Sequence, residues 1–441
     1  MMMFELPALR AAGLVAAILG LTTVTCPSHA QLGDDAIRVV ARDTFFPAKG
    51  RVCVRGQSFY VSGDGLEKLR YRFEQSASDK MNNMQISRST DSGRSWSDPE
   101  VWWTVKRTPE GIARRGFKAG WADPQTGNLL VMYGSGVWPN DKVLERFGRG
   151  QMSYIVSRDG WRTELVNEPV KLTNVEQRDD GLFIDSREES APLFSMMFGD
   201  RVGRPIQTST GEILQPVQLA LFEADGRRYN PGGGYTFTAA AVLIGKWRAD
   251  HHIDWSISKR IRLGPDRSTR GAIEPTIAAL SDGRILMVLR GSNDSRGRLP
   301  GYKWHTVSTD GGRTWNDVQP WTYTDGETFF SPSSCSQLVP HSSGKLYWIG
   351  NIVPDNPQGN LPRRPLVIGQ VDRKSGMLMR STVVTIDDLQ EGEHPRMMLS
   401  NFMAYEDRES GEILLHMSRP FAQGAGNWTS PAYLYRIAVG R

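Results

Sequence analysis

The chain has 441 residues, with 45 glycines, 13 tryptophans, 3 cysteines and a formal net charge of +5. Its Lys and Arg are scattered rather than run together, which excludes a nucleic-acid-binding stripe. No Gly-rich phosphate loop, HExxH or paired CxxC occurs, which removes support for nucleotide and zinc chemistry; no cofactor and no metal are expected.

Residues 1–30 read as a signal peptide. Arg10 precedes an apolar run from Ala11 to Val24, and Ser28-His29-Ala30 places small residues at −3 and −1 before Gln31. The run is too short for a membrane span. Export is therefore expected, to a secreted or periplasmic location, with residues 31–441 as one domain. Cleavage leaves Cys53 and Cys335, which either pair or stay as two buried thiols.

Past the leader the pattern is short apolar strands with tight turns, and helix-period segments are scarce. Ile37 to Ala41 forms a short strand suited to closing a ring by joining the last sheet. Arg51 to Trp96 predicts a first sheet, residues 112–170 a second and about 180–248 a third. The fourth, preceded by Trp255, is the clearest. Glu274 to Leu280 and Arg284 to Arg290 are two apolar strands joined by the Ser281-Asp282-Gly283 turn, a hairpin by pattern. A third strand starts at Trp304 and ends in Ser308-Thr309-Asp310-Gly311-Gly312-Arg313-Thr314-Trp315. Phe330 to Thr385 and about 395–440 complete the count at six. The eight-residue turn recurs as Ser89 to Trp96, in shortened form at Ser157 to Trp161, and in eroded form at Val371 to Gly376. Its Asp and Ser suit bonds to nearby backbone N–H groups, its Gly residues allow φ > 0, and its Trp packs between strands. A sheet unit repeated at intervals of roughly 40–70 residues predicts an all-β fold, a six-bladed β-propeller of four-stranded antiparallel blades.

The two full copies of this turn resemble the Asp box of the sialidase (neuraminidase) superfamily. Asp boxes are structural turns and argue fold, not chemistry. The order Glu274, Asp282-Gly283, Arg290, Asp box also matches the sialidase fourth-blade hairpin. That resemblance implies Glu274 as base to a tyrosine nucleophile and Arg290 as a ligand of the sugar carboxylate. It implies Asp79, in the loop before the first Asp box, as acid/base. Arg55 matches the first carboxylate-binding arginine in placement, with Arg51 and Arg72 as rivals and without the family's Phe-Arg-Ile-Pro motif. Arg364 matches the third, with Arg363 as alternate. Forked guanidiniums suit a planar carboxylate better than lysines do. The last blade departs from the family pattern: Asn401 or Phe402 stands where the nucleophilic tyrosine is expected, and Tyr405 is displaced by a few residues.

These features imply an exo-glycosidase acting as a monomer on a glycan that ends in an acidic sugar such as sialic acid. Catalysis is assigned to Asp79, Glu274 and Tyr405, and substrate binding to Arg55, Arg290 and Arg364. Sialidases form a tyrosyl rather than carboxylate-linked intermediate. The alternatives are another propeller carbohydrate-active enzyme, such as an exo-arabinanase with two carboxylates or a rhamnose–glucuronate hydrolase or lyase using His305 or His394, and a non-catalytic glycan-binding propeller.

Overall fold

The computed structural model describes residues 36–78, 80–142, 144–145, 147–178, 181–184, 192–200 and 202–440. The signal peptide and Asp79 lie outside the described residues. What is described is a β-propeller with almost no helix, a single 3-10 turn at Arg380–Thr382.

Its strands form six antiparallel sheets in chain order. Four have four strands each, and the second and third have six and seven, so the sheets are not uniformly four-stranded as the sequence predicts. Short additional strands cause the excess, among them Lys106–Thr108 and Trp121–Ala122 in the second sheet and Ile206–Gln207 in the third. Trp255 belongs to the outer strand Ile253–Ile257 of the third sheet, not to the fourth. The ring-closing strand appears as expected. Arg38–Phe46 pairs with Ala432–Ala438 of the last sheet, so the chain's first and last strands lock each other.

The inner strands of the fourth sheet are covered on both faces, which explains why they are apolar rather than alternating. In the fourth sheet Ile277 and Met287 face the third, against Leu214 and Val242, while Ala278 and Val288 face the fifth, against Leu338 and Trp348. The strand Ile285–Arg290 is accordingly buried at every position. Innermost strands of neighbouring sheets also bond each other: Gln337 Nε2 donates to the Ala404 carbonyl and the Leu338 N–H to Thr276 Oγ1.

The repeated turns share one bonding scheme. In each, a serine Oγ donates to an aspartate Oδ1, at 2.7 Å for Ser89–Asp91 and 2.8 Å for both Ser157–Asp159 and Ser308–Asp310. The same aspartate accepts the hydroxyl of Ser95, Thr163 or Thr314. Residues 157–163 therefore form a complete third turn, with Thr163 as the closing hydroxyl. Burial raises and these bonds lower the Asp310 carboxyl, with a net fall to about 2. Register places Ser308 beside Ile285 and Ala279, at the opposite end of the sheet from Glu274 and Arg290. The turns hold the sheets and stand away from the site.

Candidate active site

Glu274 begins the innermost strand of the fourth sheet in a left-handed conformation, φ +46°, within a break of the ladder between Ile273 and Thr276. A non-glycine residue held at positive φ stores strain, and such residues cluster at functional sites. Three contacts enforce it. The Gln218 side-chain oxygen accepts the Glu274 N–H at 3.1 Å, and Arg290 Nη1 donates to Glu274 Oε1 at 2.7 Å. Gly199 presses so closely that a Cβ there would lie 2.8 Å from the Glu274 Cα. The other carboxylate oxygen, Oε2, is buried with no partner.

Arg290 closes the strand that pairs with Glu274's own, and its donors also reach Ser333 Oγ (2.9 Å) and Asn360 Oδ1 (3.1 Å). Burial pulls its guanidinium pKa down, but the Glu274 charge and bond outweigh this and leave it raised. Arg363 lies on the far side of Ser333, donating to its carbonyl, and its Nε has no partner. Arg270, four residues before Glu274, bonds only the Thr236 hydroxyl and stacks on Tyr235. Arg363 and Arg270 are 8% and 7% exposed, and among the described residues neither has a carboxylate within ion-pair distance. Burial, followed by repulsion from Arg290, lowers each to about 10. Behind Arg290 sits fully buried Lys303, which burial and the Arg290 charge bring to about 7. Positive charge is therefore concentrated around one strained glutamate.

A second carboxylate faces this cluster. Asp200 follows Gly199, so it is positioned by the residue that touches Glu274, and its Oδ2 accepts a 2.5 Å bond from Asn401 Nδ2. Asn401 is itself held at φ +60°. Cys335 lies behind them, its Sγ accepting the Asn401 N–H at 3.2 Å; burial, with the charges of Asp200 and Glu274, pushes its thiol up to about 12. Cys53 and Cys335 are both free and buried. Glu274, Asp200, Asn401 and Arg270 line a cavity of about 340 Å³ that extends between the second and third sheets.

The remaining sequence-assigned residues lie elsewhere. Arg364 points outward, 3.6 Å from Asp388, because neighbouring residues of an extended segment face opposite ways; the alternate, Arg363, faces inward. Arg55 is buried, bonds Gln75 Oε1 and does not line the cavity, although its Nη1 has no partner. Tyr405 lines a different, deeper cavity of about 230 Å³. Its hydroxyl bonds Ser58 Oγ at 2.7 Å and its ring stacks on His416. Burial raises its pKa, away from the range of a ready nucleophile. Asn401 stands where the cavity opens, four residues earlier. Asp200 and Arg270 carry no motif; the only sequence hint at either is a polar residue at the edge of an apolar strand.

Residues 67–405 match the BNR repeat-like domain family. The chain belongs to that family. No curated protein matches it. Among solved structures, it is similar to a protein of unknown function from Dyadobacter fermentans, at TM-score 0.57 and 12% identity, covering 92% of this chain and 99% of that one. It is also similar to a Trypanosoma rangeli sialidase solved with an inhibitor, at 0.55 and 14%, covering 90% of this chain and 59% of the sialidase. A third likeness is to an α-L-arabinofuranosidase from Fusarium graminearum, at 0.51 and 11%, covering 92% and 97%. The resemblance noted from the Asp boxes holds at the level of fold.

Proposed function

We propose that this propeller is an exo-glycosidase that removes a terminal acidic sugar from a glycan. The observation that carries this reading is the pair of buried guanidiniums, Arg270 and Arg363, standing beside Glu274 and Arg290 without carboxylate partners among the described residues. Buried charges are retained when something pairs with them, and a planar sugar carboxylate would do so through bidentate bonds. Glu274 and Asp200 are then the two groups available for acid, base or nucleophile roles, and Asp79 is a third carboxylate from the sequence reading. Tyr405 has no part in this assignment, which separates the chemistry from that implied by the sialidase resemblance. A six-bladed reading follows by counting each sheet as one blade, and the chain would be exported with its mature start near Gln31.

The test is sugar release from three panels: sialosides, uronate-capped oligosaccharides and arabinans. Release of an acidic sugar, lost in Glu274→Gln, is expected. Release from arabinans alone would favour a two-carboxylate arabinan hydrolase, the reading that the arabinofuranosidase fold likeness keeps in view. Binding without turnover on every panel would make it a lectin-like module.

A further inference from the structure

Away from Glu274 the cavity changes character. Several of its polar lining groups are committed. Lys80 and Arg114 share Asp141, at 3.0 and 2.8 Å, and Lys118 Nζ donates to the carbonyls of Gly199 and Asp200. The Arg115 guanidinium lies over the rings of Trp103 and Tyr133. Beside Ser135, Lys142 and Gln151, the cleft offers a run of apolar surface: Met81, Met152, Met196, Met197, Phe147 and Phe198. Its floor is opened by a cross-strand pair of glycines, Gly116 and Gly134, with the Met81 methyl lying against the former. Thioethers adapt to irregular apolar shapes and make favourable contacts with rings.

We infer that this cleft is a subsite for a flat, apolar aglycone. The inference rests on the acidic-sugar reading for the other end of the cavity, and it names the substrate class as acidic glycosides of an aromatic or similarly apolar alcohol. A continuing sugar chain would present hydroxyls that need partners here, and the wall supplies more methyl groups and ring faces than polar partners. The volume, about 340 Å³, falls in the range that encloses a small ligand of two connected parts. The carboxylates at one end and the apolar wall at the other place a glycosidic bond between them.

Gly134 supplies the test, because a Cβ there meets nothing closer than Phe198 at 3.9 Å and its backbone is not left-handed. Gly134→Val should therefore fold and fill the cleft without touching Glu274, Arg290 or Asp200. Binding is measured on Glu274→Gln protein, with and without Gly134→Val. The probes are the methyl and 4-methylumbelliferyl glycosides of sialic acid and of glucuronic acid, and free 4-methylumbelliferone. The aromatic glycoside should bind at least tenfold tighter than its methyl counterpart, with a more negative heat-capacity change, the marker of apolar burial. Gly134→Val should erase that preference and leave methyl glycoside affinity within twofold. Equal affinity for both glycosides, or a preference that survives Gly134→Val, overturns the subsite. If no glycoside binds, the acidic-sugar reading fails on its own; saturable binding of free 4-methylumbelliferone that Gly134→Val abolishes would still uphold the apolar subsite, and its absence would remove both.

Discussion

Two of the polar clusters buried in this propeller are built on opposite terms. Between the first and sixth sheets, Lys68 Nζ meets Asp407 Oδ1 at 2.7 Å, Tyr60 donates to the same carboxylate, and Ser58 links Tyr405 to His416. Burial raises and the Lys68 bond lowers the Asp407 carboxyl, leaving it near about 2, while burial and the Lys68 charge drop His416 to about 3. Lys68 is balanced by Asp407, His416 stays neutral, and the arrangement joins the ring's ends. Around Glu274, by contrast, two guanidiniums lack carboxylates, a carboxylate oxygen lacks a donor, and two non-glycine residues hold positive φ. A paired cluster lowers the energy of the fold. Under the proposed function, the unpaired, strained one is kept for the sugar it binds.

The sharpest way to break this comparison is at Glu274. Glu274→Gln keeps shape and should cut turnover roughly 10²–10⁴-fold, the range for losing a positioned acid or base. Its melting temperature should fall, because Arg290 loses the charge of the buried carboxylate it pairs with. Turnover near wild type would end its assignment.

Next comes the balanced cluster. Lys68→Met leaves Asp407 buried beside Tyr60 without its cation, and removing one partner of a buried pair costs about 3–5 kcal/mol. Denaturant unfolding should show this loss, with turnover per folded molecule unchanged. A stability change within error would mean that the pair does not hold the ring closed.

A smaller effect separates two adjacent arginines. Arg363→Lys should weaken acidic-sugar binding by about 1.5–3 kcal/mol, the worth of a charged hydrogen bond, seen as a raised KM. Arg364→Lys, which faces Asp388 at the surface, should leave KM unaltered. The reverse pattern would restore the original sequence assignment.

The smallest effect is expected at Tyr405. Tyr405→Phe removes one buried bond to Ser58 and should cost about 0.5–1.5 kcal/mol of stability with normal kcat. A drop in kcat of orders of magnitude would instead make Tyr405 the nucleophile, reached through a rearranged cavity.

Much of the architecture was legible in the chain because it is written in local chemistry. Ser–Asp–Gly–Thr spacing determines the turns through bonds within five to seven residues, and apolar runs of five to ten residues determine strands covered on both faces. The closing strand and the Glu274–Arg290 hairpin followed from the same periodicity. What the tertiary structure decided was which polar residue at a strand end turns toward the cavity. Arg363 and Arg364 are equivalent in sequence, and only the path of the chain past Ser333 sends one inward and the other to Asp388. Asp200 and Glu274 are 74 positions apart and meet because Gly199 has no side chain to hold them apart. Tyr405 reads as a nucleophile by proximity in sequence, yet the strand Met403–Glu406 carries it to another cavity, where it bonds Ser58. Turns depend on neighbours in the chain, whereas the site depends on the closure of the ring, which brings together residues that share no sequence pattern.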